Sequence, residues 1–253
     1  LAATLPPRRE QSRFPASLNP PKTVGVPDNR PDILMIFEES TFDPTVVARC
    51  TLPACDSAML HELPFAARTQ EGPLLTHTTG GGSWLTEFAF MSGLDWRFFG
   101  RAGSLATISL APRLQTALPK RLQQLGYRTV ALYPTDGDFL GAKDAYAVYG
   151  FDEFRSAHEL QLPASWIQVR DRLILEKALA AAQHGADARP VFIFALTIRN
   201  HGPYRANARQ LRPEFAAAAQ AMGAEFADYL DRMRSEEHTS ELQSRFGISY
   251  AVF

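Results

Sequence analysis

This 253-residue sequence has only two cysteines, no long apolar run and no excess of charge of either sign. With 26 Lys and Arg against 27 Asp and Glu, it lacks the basic surplus that a phosphate-lined groove requires, which argues against nucleic acid as a partner. The longest uninterrupted apolar run is Val191 to Leu196, far short of the roughly 18 to 20 residues needed to cross a bilayer. What remains is an ordinary globular composition, 45% apolar and 21% charged, in a chain long enough for one large domain. No internal repeat is visible.

Both ends differ from the middle. Residues 1–31 are rich in Pro, Arg, Asn and Ser, have no apolar period and read as a linker with more chain expected before it. From Arg234 the sequence Arg-Ser-Glu-Glu-His-Thr-Ser-Glu-Leu-Gln-Ser matches the in-frame translation of a common short-read sequencing adapter. Ile248 to Phe253 match its continuation past an index that Arg245 to Gly247 would fill. Residues 234–253 are therefore expected to be a non-native tail and are kept out of the functional reading. The tail holds two basic and three acidic residues, so the remainder is neutral.

Between these ends, Ile33 to Phe37, Thr129 to Tyr133 and Val191 to Thr197 are short apolar or β-favouring runs, as expected of strands buried on both faces of a parallel sheet. Helical spacing relates Leu118, Leu122 and Leu125, with Pro119 to open the helix and Gly126 to close it. The same spacing relates Ile167, Ile174, Ala178 and Ala181, and again Phe215, Ala219, Met222, Phe226, Tyr229 and Met233. Strands alternating with helices predict an α/β layered fold whose ligands gather beyond the carboxyl ends of the strands.

Three strand ends carry polar clusters: Glu38-Glu39-Ser40-Thr41, Thr135-Asp136-Gly137-Asp138 and Arg199-Asn200-His201-Gly202. Each alone reads equally as a cap or a solvated turn; three converging on one rim read as a site. A fourth element, Gly80-Gly81-Gly82-Ser83 before Trp84 to Met91, predicts a glycine turn opening a buried helix with Ser83 at its N-terminus, where unpaired amides favour an anion. It is neither a P-loop, since no Lys follows, nor a G-x-S-x-G nucleophile elbow. A serine hydroxyl needs a base or a metal to attack at neutral pH. Glu39 offers a hard oxygen ligand suited to Mg²⁺ or Mn²⁺, with Zn²⁺ favoured if histidine joins, and His201 could touch the transferring group or protonate the leaving oxygen.

These residues resemble the sulfatase-like branch of the alkaline phosphatase superfamily, in its lipoteichoic acid synthase and phosphoglycerol transferase group. The matching pieces are Pro31 to Ser40, Gly82 to Phe88 with Ser92-Gly-Leu94, Leu125-Gly-Tyr127, Tyr149-Gly-Phe-Asp152 and Thr197 to Tyr204, in the family's order and spacing. The resemblance implies a three-layer α/β/α sandwich over residues 32–233, incomplete at its C-terminal side. It also implies an extracytoplasmic domain, periplasmic or on the outer face of the inner membrane, anchored by N-terminal transmembrane helices. The implied reaction moves a phosphoglycerol-type group from a phospholipid donor to a glycan or polyol hydroxyl through a covalent phospho-serine. By position, Glu39 and Ser83 correspond to metal-binding residues, Ser83 also to the nucleophile and His201 to the substrate-contacting histidine. Arg199, Asn200, Asp136 and Lys143 are further substrate-binding candidates. The family's late Asp-His ligand pair is missing, so the fragment itself is expected to be inactive. Phe139-Leu-Gly-Ala142 stands where the family carries a phosphoglycerol-gripping Phe-Trp-Asn-Arg, with Lys143 as the nearest replacement. A true sulfatase would need Pro and Arg within Ser83-Trp-Leu-Thr-Glu87, and neither is there. A metal-dependent phosphodiesterase or a non-catalytic binding domain remain the alternatives. In an extracytoplasmic setting Cys50 and Cys55 could close a small disulfide; two free thiols or half a metal site are the other readings.

Overall fold

The structure, a computed structural model, describes residues 30–57, 74, 76–78, 81–184, 187–205 and 211–236, and the backbone of 249–252. The chain divides between Arg30 and Pro31, and every element below lies in the second unit, Pro31–Phe253. Gly80, part of the glycine run, lies outside the described residues.

The three apolar runs become neighbouring strands. β1 (Ile33–Glu38), β2 (Arg128–Leu132), β3 (Glu153–Arg155), β4 (Val191–Thr197) and β5 (Ser249–Val252) form one parallel sheet in the order β3-β2-β4-β1-β5, the edge strand β5 falling within the stretch 234–253 that the sequence reads as a non-native tail. Parallel neighbours need long crossovers, and helices supply them. In chain order the helices described are α1 (Pro44–Val47), α2 (Ser83–Ser92), α3 (Ala106–Ser109), α4 (Leu118–Gln124), α5 (Ala142–Tyr149), α6 (Asp171–Ala182), α7 (Ala216–Met222) and α8 (Ala224–Glu236).

β4 is buried at every position, and its period of two divides it between two cores. Phe192, Phe194 and Leu196 join Leu85, Phe88 and Met91 of α2 and Tyr146 and Tyr149 of α5. Val191, Ile193 and Ala195 join Ile174, Ala178 and Ala181 of α6. Helices thus cover both faces of the sheet, giving the expected α/β/α layering. A third cluster sets Phe215, Tyr229 and Met233 against Cys50 and Cys55, which the structure joins in a disulfide with Cα atoms 6.1 Å apart.

Local differences from the sequence reading have identifiable causes. Leu125 caps α4 and is exposed because the chain turns out at Gly126 (φ +86), before Leu125 can complete the helix face. Ile167 leaves the α6 stripe for a 3-10 turn, Trp166–Gln168, and Val169 takes the buried place. The long stripe from Phe215 to Met233 is two helices, broken at Gly223 (φ +97), which turns Met222 outward. β3 was not predicted, since its three residues hold two charges and no apolar run. Arg128 of β2 pairs with Glu153 at 2.9 Å instead.

Gly150, in the Tyr149-Gly-Phe-Asp152 segment, ends α5 at φ +97, where a Cβ would lie 2.8 Å from the Lys120 Cα and 2.9 Å from its nitrogen. Gly150→Ala should therefore destabilise the fold by about 2 kcal/mol or more, from strained backbone and overpacking together. Urea unfolding measures this, and a change under about 0.5 kcal/mol would contradict the packing described.

Candidate active site

Because β1, β2 and β4 run the same way, the segments that follow them open on one rim of the sheet. Met35 and Phe37 of β1 face the α2 side, and Glu39, the residue just past the strand, continues that alternation. Glu38 turns to the other face, where burial and the neighbouring Asp171 and Glu236 carboxyls push it up to about 8. Ser40 then adopts a left-handed conformation (φ +58), bending the chain directly after Glu39.

Ser83 is the first residue of α2. Gly82 before it (φ +88) and Gly81 (φ +132) hold backbone conformations that L side chains rarely adopt, so glycine is needed to swing the chain into the helix. No side chain caps this first turn, which leaves its amides directed toward an incoming anion. The Ser83 hydroxyl faces two carboxyls, Glu39 and Glu87. Burial raises the Glu39 carboxyl above its ordinary range, while the His201 charge and hydrogen bonding with Ser83 oppose that rise. Glu87, one helical turn on, is buried and pushed up to about 7. The dominant cause is desolvation, which the Tyr146 hydroxyl, donating to it at 2.6 Å, only partly offsets.

His201 completes the group, with Nε2 3.6 Å from Glu39 Oε1. Its Nδ1 lies 2.7 Å from the Gly202 carbonyl, which can only accept, so Nδ1 carries a proton. Trp166 stands edge-on to the ring at 6.1 Å and donates to the same Gly202 carbonyl, while Arg232 donates to the His201 carbonyl at 2.8 Å.

Glu39, Ser83 and His201 are thus brought together, and Glu87 joins them. The other sequence candidates make contacts with neighbouring segments. Asn200 is buried and donates to Thr41 at 2.8 Å, tying the segment after β4 to the segment after β1. The Arg199 backbone N–H donates to Asp171, and its guanidinium donates to the Ile167 carbonyl at 2.5 Å, both around the start of α6. Asp136 is exposed and accepts from the Asp138 N–H, closing a turn. Lys143 is exposed in the first turn of α5, its N–H bonded to the Gly137 carbonyl. Tyr146 and Trp166 were not found from sequence. Tyr146 sits in an ordinary apolar stripe, and its one clue is the polar tip it brings into a buried helix.

Glu39 and Ser83 present two hard oxygen donors and His201 a nitrogen. Among the described residues, however, no group of three or more His, Cys, Asp or Glu side chains is disposed to hold a metal ion. The described donors therefore fall short of a complete metal site.

The Glu87 carboxyl sits at 4.5 in the unfolded chain and at about 7 when folded, so the native state holds a proton that the unfolded state releases between those values. Its contribution to stability is present below about pH 4.5 and is lost as pH rises through 7. Glu87→Gln, which keeps an acceptor for Tyr146, should flatten the fall in stability between pH 4.5 and 7 in urea titrations. An unchanged pH profile would show that Glu87 is not held protonated.

Comparison with known proteins agrees with this geometry. The sulfatase family model matches residues 31–238. An uncharacterized protein of Haemophilus influenzae is 35% identical over 189 residues, covering 70% of this chain and 33% of that protein. A putative cyclic beta-1,2-glucan modification protein of Rhizobium meliloti is 29% identical over 181 residues, covering 70% and 27%. The chain thus spans a third or less of the length of these curated relatives. Among solved structures, the phosphoglycerol transferase GacH of Streptococcus pyogenes, in complex with sn-glycerol-1-phosphate, superposes with a TM-score of 0.59 at 16% identity, covering 85% of this chain and 56% of that one. The family match and the likeness of fold lead to one assignment: the chain belongs to the sulfatase family, with the alkaline-phosphatase-like α/β/α fold.

Proposed function

We propose that the intact protein transfers a phosphoglycerol-type group from a phospholipid to a glycan or polyol hydroxyl, with Ser83 as nucleophile. The observation that carries this reading is the position of the Ser83 hydroxyl, at an uncapped helix N-terminus and between the Glu39 and Glu87 carboxyls, with His201 against Glu39. The likeness to the GacH fold supports a glycerol phosphate, and the name of the Rhizobium relative supports a glycan acceptor.

In the first step Ser83 Oγ bonds to the donor phosphorus as its proton passes to a neighbouring carboxylate. The bond from phosphorus to the lipid glycerol oxygen breaks, and diacylglycerol leaves with a proton from His201 Nε2. In the second step an acceptor hydroxyl gives its proton to the neutral imidazole and attacks the same phosphorus; the bond to Ser83 Oγ breaks, and the serine takes back its proton from the neighbouring carboxyl. The first-turn amides of α2 offset charge on the non-bridging oxygens throughout. A divalent cation, Mn²⁺ or Mg²⁺ or else Zn²⁺, would supply further charge neutralisation, and Glu39 and Ser83 would be two of its ligands. The remaining ligands would come from outside the described residues; we propose separately that the 253-residue chain by itself is inactive, because the Asp-His pair that the resemblance implies does not occur in it before residue 234. An extracytoplasmic, membrane-anchored setting belongs to the same proposal and suits both the lipid donor and the Cys50–Cys55 disulfide.

Ser83→Ala in the intact protein, assayed with divalent metal and phospholipid, should lower kcat by roughly 10³-fold or more with the fold unchanged. Turnover at the wild-type level would overturn the proposal. Product analysis tests the acceptor: glycan-linked phosphoglycerol supports transfer, and free glycerol phosphate alone identifies a hydrolase.

A further inference from the structure

Trp166 is held in place without being buried. It is 43% exposed, yet its indole N–H donates to the Gly202 carbonyl at 3.3 Å, the same carbonyl that His201 Nδ1 contacts. The 3-10 turn that carries it is fixed twice more, by Arg199 donating to the Ile167 carbonyl and by Val169, which is wholly buried. Core packing therefore does not account for a residue of this size at this place. An amphipathic ring with its polar tip satisfied, its position fixed and much of its surface open loses little freedom on meeting a ligand.

Ile167, the next residue, lines a cavity of about 360 Å³ with Arg199, Pro203, Tyr204, Arg205 and Arg232. Ring and cavity share one segment: the indole bonds Gly202, Pro203 and Tyr204 form the wall, and Arg232 donates to the His201 and Pro203 carbonyls. The three arginines do not make it an anion site. Arg205 is paired with Asp228 and Asp231, Arg232 with Asp228, and Arg199 lies 3.6 Å from Glu236. Around them Arg170 also meets Glu236, and Arg212 meets Asp231 and Glu214. The wall is thus polar with its charge largely balanced, which suits hydroxyl groups better than a bare phosphate or an acyl chain.

The geometry points to Trp166 and this cavity as a subsite for a neutral glycan, with one sugar ring stacked on the indole and its hydroxyls meeting the polar wall. This inference rests on the proposed glycan acceptor and adds where it is held: beside His201, the residue proposed to take the acceptor's proton.

The test is saturation-transfer NMR on the 253-residue chain with laminarihexaose, cellohexaose and maltohexaose, in the absence of donor and metal. At least one of these neutral sugars should receive saturation at its ring protons. Trp166→Leu should weaken that binding roughly tenfold, and Trp166→Phe, which keeps a stacking ring but loses the N–H, by less than about threefold. Both variants should keep the circular dichroism of the parent, since the ring is exposed. Binding of none of the three sugars, or binding by Trp166→Leu at the parent's level, would overturn the inference. So would binding of monomeric dihexanoylphosphatidylglycerol that Trp166→Leu abolishes with no sugar bound, which would assign the ring to the donor. Sugar binding is read without turnover, so its failure leaves the Ser83 chemistry standing, and failure of that chemistry leaves the binding result standing.

Discussion

Glu39 and His201 can approach to 3.6 Å because β1 and β4 are parallel neighbours that end level, Glu38 opposite Thr197. Every other feature of the site depends on that register. A shift of one residue would carry Glu39 to the α6 face and leave Glu38 facing α2. Two buried contacts keep the strands from slipping. Phe37 and Phe194 pack at 5.6 Å within the sheet's α2 face, and Asn200 bonds Thr41 beyond the strand ends. Through that bond Asn200 ties together the two segments that carry Glu39 and His201.

The electrostatics of the rim follow from the layering. A sheet covered on both faces leaves little water near its strand ends, so carboxyls placed there titrate above their ordinary range, as Glu39 and Glu87 do. Two such groups flanking one serine are costly for the fold unless a cation or a shared proton offsets them. The aromatic wall of Tyr133, Tyr146 and Tyr149 behind Glu87 adds to the desolvation and supplies the Tyr146 hydroxyl that donates to it. Stability is given up at this rim and recovered in the two cores on either side of β4.

The sequence made the sheet and the central group legible for different reasons. Val191 to Leu196 is apolar without interruption, as suits a strand covered on both faces, and with Thr197 its bounds agree with β4. Ser83 stands out because glycines precede it and a buried run follows, a pattern that reads equally as a plain serine N-cap. Arg199 and Asn200 are equally polar and as close to His201, and the bonds they make, Arg199 to the Ile167 carbonyl and Asn200 to Thr41, join segments far apart in sequence that no local pattern records. Gly223 hides for a similar reason: the apolar stripe continues across it at helical spacing while the backbone does not. Tyr146 and Trp166 matter through contacts 59 and 35 residues away along the chain, to Glu87 and His201, which no local pattern records.

The central claim is that Ser83 becomes covalently bonded to the transferred group. The direct measurement is peptide mass analysis of the intact protein, acid-quenched during turnover with phosphatidylglycerol and divalent metal. The account predicts a mass increase of one glycerophosphoryl group on the peptide containing Ser83, absent in Ser83→Ala and discharged when acceptor is added. Turnover without any such adduct, or an adduct on another residue, would contradict it.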